Sequence, residues 1–315
     1  MKPTPPADAT ADGEPGRHIS RRALLAGGFA GVVGASALGG LAVQDGMLPG
    51  RTTLHRLLGL NGPAGSIPDV ASGRMSSGAF NSRARLGTRT AWSIAYPPGR
   101  SATPLRPLIV LHGRGGDHHS AFGDQLGLDR FLAQAVAQGT TPFAIASVDG
   151  GDHSYWHRRA SGDDAGAMVL TEFLPLLAAH GLDTSRVAFL GWSMGGYGGL
   201  WLGGQLGARR VAAVVAESPA IWRHAADTAQ GSFDDAEDLA QHTVFGRQQQ
   251  LAGVAVRVDC GTGDGFCPVA REYARSLTPA PAGGFEPGAH DLDYWRRMAP
   301  AQLQFVGQHL PTASG

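Results

Sequence analysis

The run Val187-Ala188-Phe189-Leu190-Gly191-Trp192-Ser193-Met194-Gly195-Gly196 decides the architecture. Four apolar residues read as a buried strand. A glycine–x–serine–x–glycine turn follows, and residues 194–206 then carry a helical pattern. A serine between a strand and a helix sits in a sharp, strained turn, where flanking side chains would collide and glycine removes the conflict. Such a turn lifts the hydroxyl above the sheet and aims the first amides of the helix at it. In a chain with 47 glycines the pattern alone is weak. Its single occurrence, after a strand and before a helix, gives it weight.

Working outward, the same alternation recurs. Short apolar runs at 108–111, 143–148, 211–215 and 254–258 read as buried strands, and 88–96 as a β-compatible stretch closed by Pro97-Pro98. Helical patterns occupy 126–137, 165–179, 235–242, 268–277 and 291 to about 309, and a short β-like stretch lies at 284–286. Strands apolar on both faces, alternating with helices, predict a mostly parallel central sheet with helices on both faces. The fold class is α/β, with one catalytic domain over 81–315.

Composition narrows the chemistry. The 315 residues carry 26 Lys plus Arg and 26 Asp plus Glu, so the formal net charge is zero. A nucleic-acid partner would need a basic excess to displace counterions, and is not expected. Lys2 is the only lysine. That excludes a Schiff-base lysine, a phosphate-loop lysine and a serine–lysine dyad from the folded domain.

The N-terminus reads as an export address. Residues 1–19 are polar; Arg21-Arg22 then precede a weakly hydrophobic, glycine-laden run to Val43. Paired arginines before such a run resemble a twin-arginine (Tat) signal over 1–43. Cleavage is open between 35–37 and 40–42, and the run also has the length of an uncleaved membrane anchor. Residues 44–80, rich in Gly, Ser, Pro and Ala, read as a flexible linker. The expected partner for export is the Tat machinery, and the expected location is the periplasm, cell envelope or exterior.

In parallel sheets, chemistry gathers at the carboxyl ends of strands. After 108–111 comes His112-Gly113-Arg114, which supplies the Arg114 N–H as one oxyanion donor; the Met194 N–H, just after the serine, is the other. The base must follow the last strand. His290, in Gly288-Ala289-His290-Asp291, fits, whereas His309 complements a helix end and His224 and His242 read as surface. For the orienting acid, Asp264 lies in the glycine-rich loop after 254–258, with Asp259 and Glu217 as alternatives. Cys260 and Cys267 flank Asp264 and form a candidate disulfide in an exported protein, buried thiols being the alternative. The segment 149–157 places His153, Tyr155 and Trp156 at the same rim; with His112 these are candidate substrate-binding residues, and packing of the aromatics beneath a loop is an equal reading. Neither Asp117-His118-His119 nor the pair His153 and His157 forms a metal motif, so no metal and no cofactor is expected.

With these residues assembled, the chain from about 91 to 310 resembles the α/β-hydrolase superfamily. More narrowly it resembles the esterase family that includes esterase D (S-formylglutathione hydrolase), feruloyl esterases and secreted mycolyltransferases. The resemblance rests on Glu172-Phe173-Leu174-Pro175, on 191–198, on Glu217-Ser218-Pro219-Ala220, and on Gly288-Ala289-His290-Asp291 with Tyr294-Trp295. It implies the α/β-hydrolase fold, with Ser193 as nucleophile, Asp264 as acid and His290 as base. The mycolyltransferases use glutamate at the acid position, which lowers the acyl-transfer reading here. The expectation is an exported serine esterase acting on small-molecule or cell-envelope esters through an acyl-enzyme. Alternatives are an acyltransferase to an envelope sugar or alcohol, a serine peptidase of the same fold, and a non-catalytic envelope-binding protein.

Overall fold

The computed structural model describes residues 51–99 and 104–310. Eight strands form one sheet in the order β1-β2-β4-β3-β5-β6-β7-β8. These are β1 (Met75–Ser82), β2 (Thr88–Ala95), β3 (Pro107–Leu111), β4 (Ala144–Val148), β5 (Val187–Trp192), β6 (Val211–Glu217), β7 (Ala255–Asp259) and β8 (Ala282–Gly284). β1 and β2 run antiparallel to their neighbours, and every pairing from β4 to β8 is parallel.

The four central strands β3 to β6 are buried along their whole length, as continuous apolar runs require of strands covered on both faces. Their side chains divide with the two-residue period of a strand. Ile109, Leu111 and Phe189 enter one core; Leu108, Val110 and Leu190 enter the other. Over the first face lie α3 (Ala165–Met168), α4 (Leu174–Ala179), α5 (Met194–Leu206), α6 (Ala236–His242) and α7 (Cys267–Arg275). Over the second lie α2 (Leu128–Ala137) and α8 (Leu292–His309). A further helix, α1 (Arg51–Leu57), precedes the sheet. Aspartates cap three of these helices: the side chains of Asp164, Asp235 and Asp291 accept from the N–H groups of Ala167, Asp238 and Tyr294.

Two features depart from the sequence reading. Residues 51–80 are not a tether throughout, because α1 and most of β1 lie within them. β1 (MSSGAFNS) is mostly small and polar, and its strand state comes from an eight-residue ladder with β2 rather than from its own pattern. Helix 165–179 is broken by a π turn, Val169–Phe173, between α3 and α4. Within it Glu172 turns toward the β1–β2 connection and accepts from the N–H groups of Arg83 and Ala84 at 2.9 and 3.1 Å. Residues 1–43, read as a Tat signal, and residues 44–50 lie outside the described residues.

Candidate active site

Ser193 caps α5 at the end of β5, with φ 56° and ψ −120°. A non-glycine residue at such an angle is strained, costing on the order of 1–3 kcal/mol, and is held only by its surroundings. Three main-chain bonds hold it: Ser193 N–H donates to Glu217 O at 3.0 Å, and Ser193 O accepts from Ala220 and Tyr197 N–H. The glycines are needed for close approach. A Cβ at Gly195 would overlap the Leu111 carbonyl, and one at Gly113 would stand 2.8 Å from Trp192 Nε1 and 3.4 Å from Ser193 Cβ. The absence of a side chain at Gly113 thus lets the loop after β3 lie against the serine.

Met194 directly follows the serine at the start of α5, and Arg114 is the residue after Gly113, which lies against it. Among the described residues, neither of their main-chain N–H groups donates to a protein acceptor. Met194 opens a helix, whose first amides have no partner within it.

Asp264 and His290 come from two loops stitched together beyond the sheet edge. The N–H groups of Cys260, Thr262 and Gly263 donate to the carbonyls of Gly284, Glu286 and Gly288 at 3.1, 2.7 and 2.8 Å, prolonging the β7–β8 pairing into the site. His290 Nδ1 lies 2.7 Å from Asp264 Oδ2, and Asp264 Oδ1 accepts from Phe266 N–H at 2.9 Å. The Asp264 side chain is wholly buried, while that of His290 is 28% exposed. The imidazole stands between Phe266 and Trp295, with ring centroids 5.4 and 5.2 Å away. Trp295 in turn lies 6.0 Å from Trp192, the residue before the serine, and donates Nε1–H to Ser218 Oγ at 3.2 Å. With Nδ1–H given to Asp264, the Nε2 lone pair remains to accept a proton. No hydrogen bond joins Ser193 Oγ to His290 among the described residues; such bonds often close only around bound substrate.

Neither other acid candidate bonds the imidazole among the described residues. Asp259 accepts from Arg257 Nε at 2.6 Å and Nη2 at 2.9 Å, and from Gln302 Nε2 at 3.0 Å. Glu217 is completely buried, and desolvation, reinforced by Asp259, raises its carboxyl well above the usual range.

No family model matches the chain, and no curated protein matches it. Solved structures do. A ferulic acid esterase superposes with a TM-score of 0.66 at 20% identity, over 76% of this chain and 99% of that one. An S-formylglutathione hydrolase from Agrobacterium tumefaciens does so at 0.64 and 16% identity, over 78% and 99%. FphF, a fluorophosphonate-binding serine hydrolase of Staphylococcus aureus, gives 0.61 at 17%, over 75% and 99%. The fold is that of the α/β hydrolases.

In this hydrolase fold the residues read as a substrate wall separate. His112 is completely buried: Nδ1 lies 2.8 Å from Gly113 O, and Nε2 accepts from Gly150 N–H at 2.9 Å. It pins the loop after β3 to the loop after β4, and burial lowers its pKa below the usual 6.5, keeping it neutral. Trp156 is also completely buried, edge-on to His112 and packed over Gly150 and Gly198. Neither can touch substrate. His153 is exposed, and its carbonyl accepts from Arg159. Tyr155 is 3% exposed among Tyr197, Trp222 and Phe233. Cys260 and Cys267 are buried thiols in hydrogen-bonding contact, not a disulfide; burial, then the neighbouring Cys267, raises the Cys260 pKa well above its usual value.

Sequence reasoning missed the groove beside His290. A cavity of about 480 Å³ is lined by Trp222, Arg223, Phe266 and Val269 among others, and Phe266 also flanks His290. Trp222 and Phe266 meet edge to face at 5.5 Å. A wider cavity of about 1010 Å³, at Arg74, Tyr96 and His180, lies at the opposite edge of the sheet and contains none of these groups.

Proposed function

We propose that the protein is a serine esterase that cleaves carboxylic esters through an acyl-enzyme. The observation that carries this reading is the Asp264–His290 pair at 2.7 Å, presented on the strand edge that also carries strained Ser193 and two uncommitted main-chain N–H groups. His290 Nε2 takes the Ser193 proton as Oγ attacks the ester carbonyl. Asp264 holds the ring in the tautomer with Nδ1 protonated and stabilises the imidazolium that forms. The N–H groups of Met194 and Arg114 receive the negative charge on the carbonyl oxygen; one such donor is worth about 3 kcal/mol of barrier. His290 returns its proton to the alcohol, which leaves. Water, deprotonated by the same imidazole, then releases the acid and restores Ser193.

The apolar walls of the groove at Trp222, Phe266 and Val269 favour an acyl group with a flat or branched apolar body. The solved structures it superposes on include a ferulic acid esterase and an S-formylglutathione hydrolase, so oxygen esters of aromatic acids and thioesters are substrates to try. The arginine pair and glycine-laden run of 1–43 support export by the Tat machinery as part of the same proposal. A panel of p-nitrophenyl esters graded in acyl length and including aryl acids, run beside Ser193→Ala, tests the activity. Turnover of at least one ester that vanishes in the variant is expected. Equal rates for the two proteins, or cleavage of peptides alone, would overturn it.

A further inference from the structure

Away from Ser193, one histidine is bonded in a way that a neutral ring cannot satisfy. The His157 side chain has no exposed surface. Its Nδ1 lies 3.1 Å from Tyr155 O and its Nε2 lies 3.1 Å from Asp238 Oδ2. Both neighbours are acceptors, and a neutral imidazole has one N–H to give. With that proton on Nδ1, the Nε2 lone pair faces a carboxylate, and a positive charge belongs between them.

A second imidazole converges on the same carboxylate. His242 Nδ1 lies 2.7 Å from Asp238 Oδ1. Asp238 and His242 are four apart on α6, so both project from one helix face, as paired metal ligands on a helix do. The His157 and His242 rings stack with centroids 4.4 Å apart, and one donor atom from each of the three side chains falls within 4.8 Å of the others. No guanidinium bonds Asp238 among the described residues. The nearby Arg159 is committed to Asp234 and to the carbonyls of His153, Gly231 and Ser232. The Asp238 carboxylate accepts one other bond, from Asp234 N–H at 2.8 Å, and the Asp238 carbonyl lies 2.9 Å from His242 Nδ1. A groove of about 280 Å³ beside Arg158, Glu237 and Gln241 includes Asp238 and His242 in its lining, giving an ion and its waters a way in.

We propose that His157, Asp238 and His242 bind one divalent transition-metal ion, zinc by the nature of the donors, which clips α6 to the loop carrying Tyr155. Two imidazole nitrogens and one carboxylate oxygen suit zinc, with water from the groove completing a tetrahedron. The Tyr155 carbonyl then accepts the other N–H of His157, the outer bond that metal-bound imidazoles generally make. The clip lies behind the aromatic wall: His157 stacks on Phe233 at 5.0 Å, and Tyr197 donates its hydroxyl to His242 O at 2.7 Å. The ion therefore has a structural role, holding the cover segment around 221–247 against the hydrolase body.

The test uses the full chain without a histidine tag, stripped with a chelator and then offered zinc, cobalt or nickel. Elemental analysis is expected to find one zinc per chain, and a hundredfold excess over Kd to raise Tm by roughly 5–10 °C. Cobalt is expected to give the visible d–d bands of a tetrahedral site. Asp238→Asn and the milder His242→Gln should lose both signals, whereas His309→Ala should keep them. The d–d bands depend on ligation and do not follow from folding alone, so a destabilised Asp238→Asn protein leaves His242→Gln to decide. No bound metal and a Tm indifferent to zinc and chelator would overturn the proposal and leave a proton as the bridging charge. Fluorophosphonate labelling of Ser193 in the same samples reads the esterase proposal separately.

Discussion

His290 faces the buried Asp264 at 2.7 Å and His157 the partly buried Asp238 at 3.1 Å, and the two pairs are built for different ends. His290 spends one nitrogen on its carboxylate and keeps the other, on a side chain 28% exposed between two aromatic rings. His157 has no exposed surface and commits both nitrogens. A base must hold a lone pair in reserve where substrate arrives, whereas a clip does its work by holding nothing back. His112 makes a third case: buried, neutral, donating to one main-chain group and accepting from another, it shapes a loop without joining the chemistry.

The comparison breaks most visibly at the serine and the base. Ser193→Ala or His290→Ala is expected to lower kcat by roughly 10⁴–10⁶-fold, measured on the best ester, with circular dichroism unchanged. Asp264→Asn should cost on the order of 10³–10⁴-fold, because the amide favours the wrong imidazole tautomer. The matching change at the other pair, Asp238→Asn, should leave far more activity and instead lower Tm. A loss at Asp238 equal to that at Asp264 would erase the distinction between the pairs.

Gly113→Val sharpens the oxyanion side. The added side chain meets Trp192 and Ser193, and a displacement of about 1 Å at the donors should reduce kcat on the order of 10²-fold. A wild-type kcat in this variant would place the oxyanion donors elsewhere. A smaller effect is expected at the groove: Trp222→Ala should raise KM for aryl and branched esters by roughly 10-fold and leave acetyl esters nearly unchanged. Equal losses across the panel would move the acyl group out of that groove.

The smallest effect is one of pH. The usual histidine value is 6.5, and burial lowers that of His112. Between the lowered value and 6.5 the unfolded ring binds a proton that the folded ring refuses, so acid favours unfolding there. This contribution is complete above about 6.5 and lost as the pH falls below it. Urea unfolding across pH 5–8 should show a shallower acid slope in His112→Gln, whose amide offers both a donor and an acceptor. An unchanged slope would show that another group sets the acid limb.

Much of this was legible in the chain. The apolar runs that became β3 to β6 are strands buried on both faces, so each was readable without knowing its neighbours; β7, buried only at its last two residues, was readable by the same apolar run. Ser193 directly follows such a strand, whereas Asp264 and His290 were read from the loops after β7 and the short, largely exposed β8 by their order along the chain. β1 escaped because its small polar residues carry no period and only its ladder makes it a strand. His112 and Trp156 were read as a pocket wall because polar and aromatic residues at a strand end look alike whether they face solvent or fill a gap beneath a glycine. His157 and Asp238 are 81 positions apart, and their meeting depends on how α6 folds back over the sheet, which no local pattern records.

The most direct measurement is intact-mass analysis after a fluorophosphonate probe, with peptide mapping of the adduct. One adduct per chain, on Ser193, formed rapidly by the wild type, absent in Ser193→Ala and slowed by several orders of magnitude in His290→Ala, is the result expected of a hydroxyl activated by the Asp264–His290 pair. An adduct on another residue, or Ser193 labelling at the same rate without the imidazole, would contradict it.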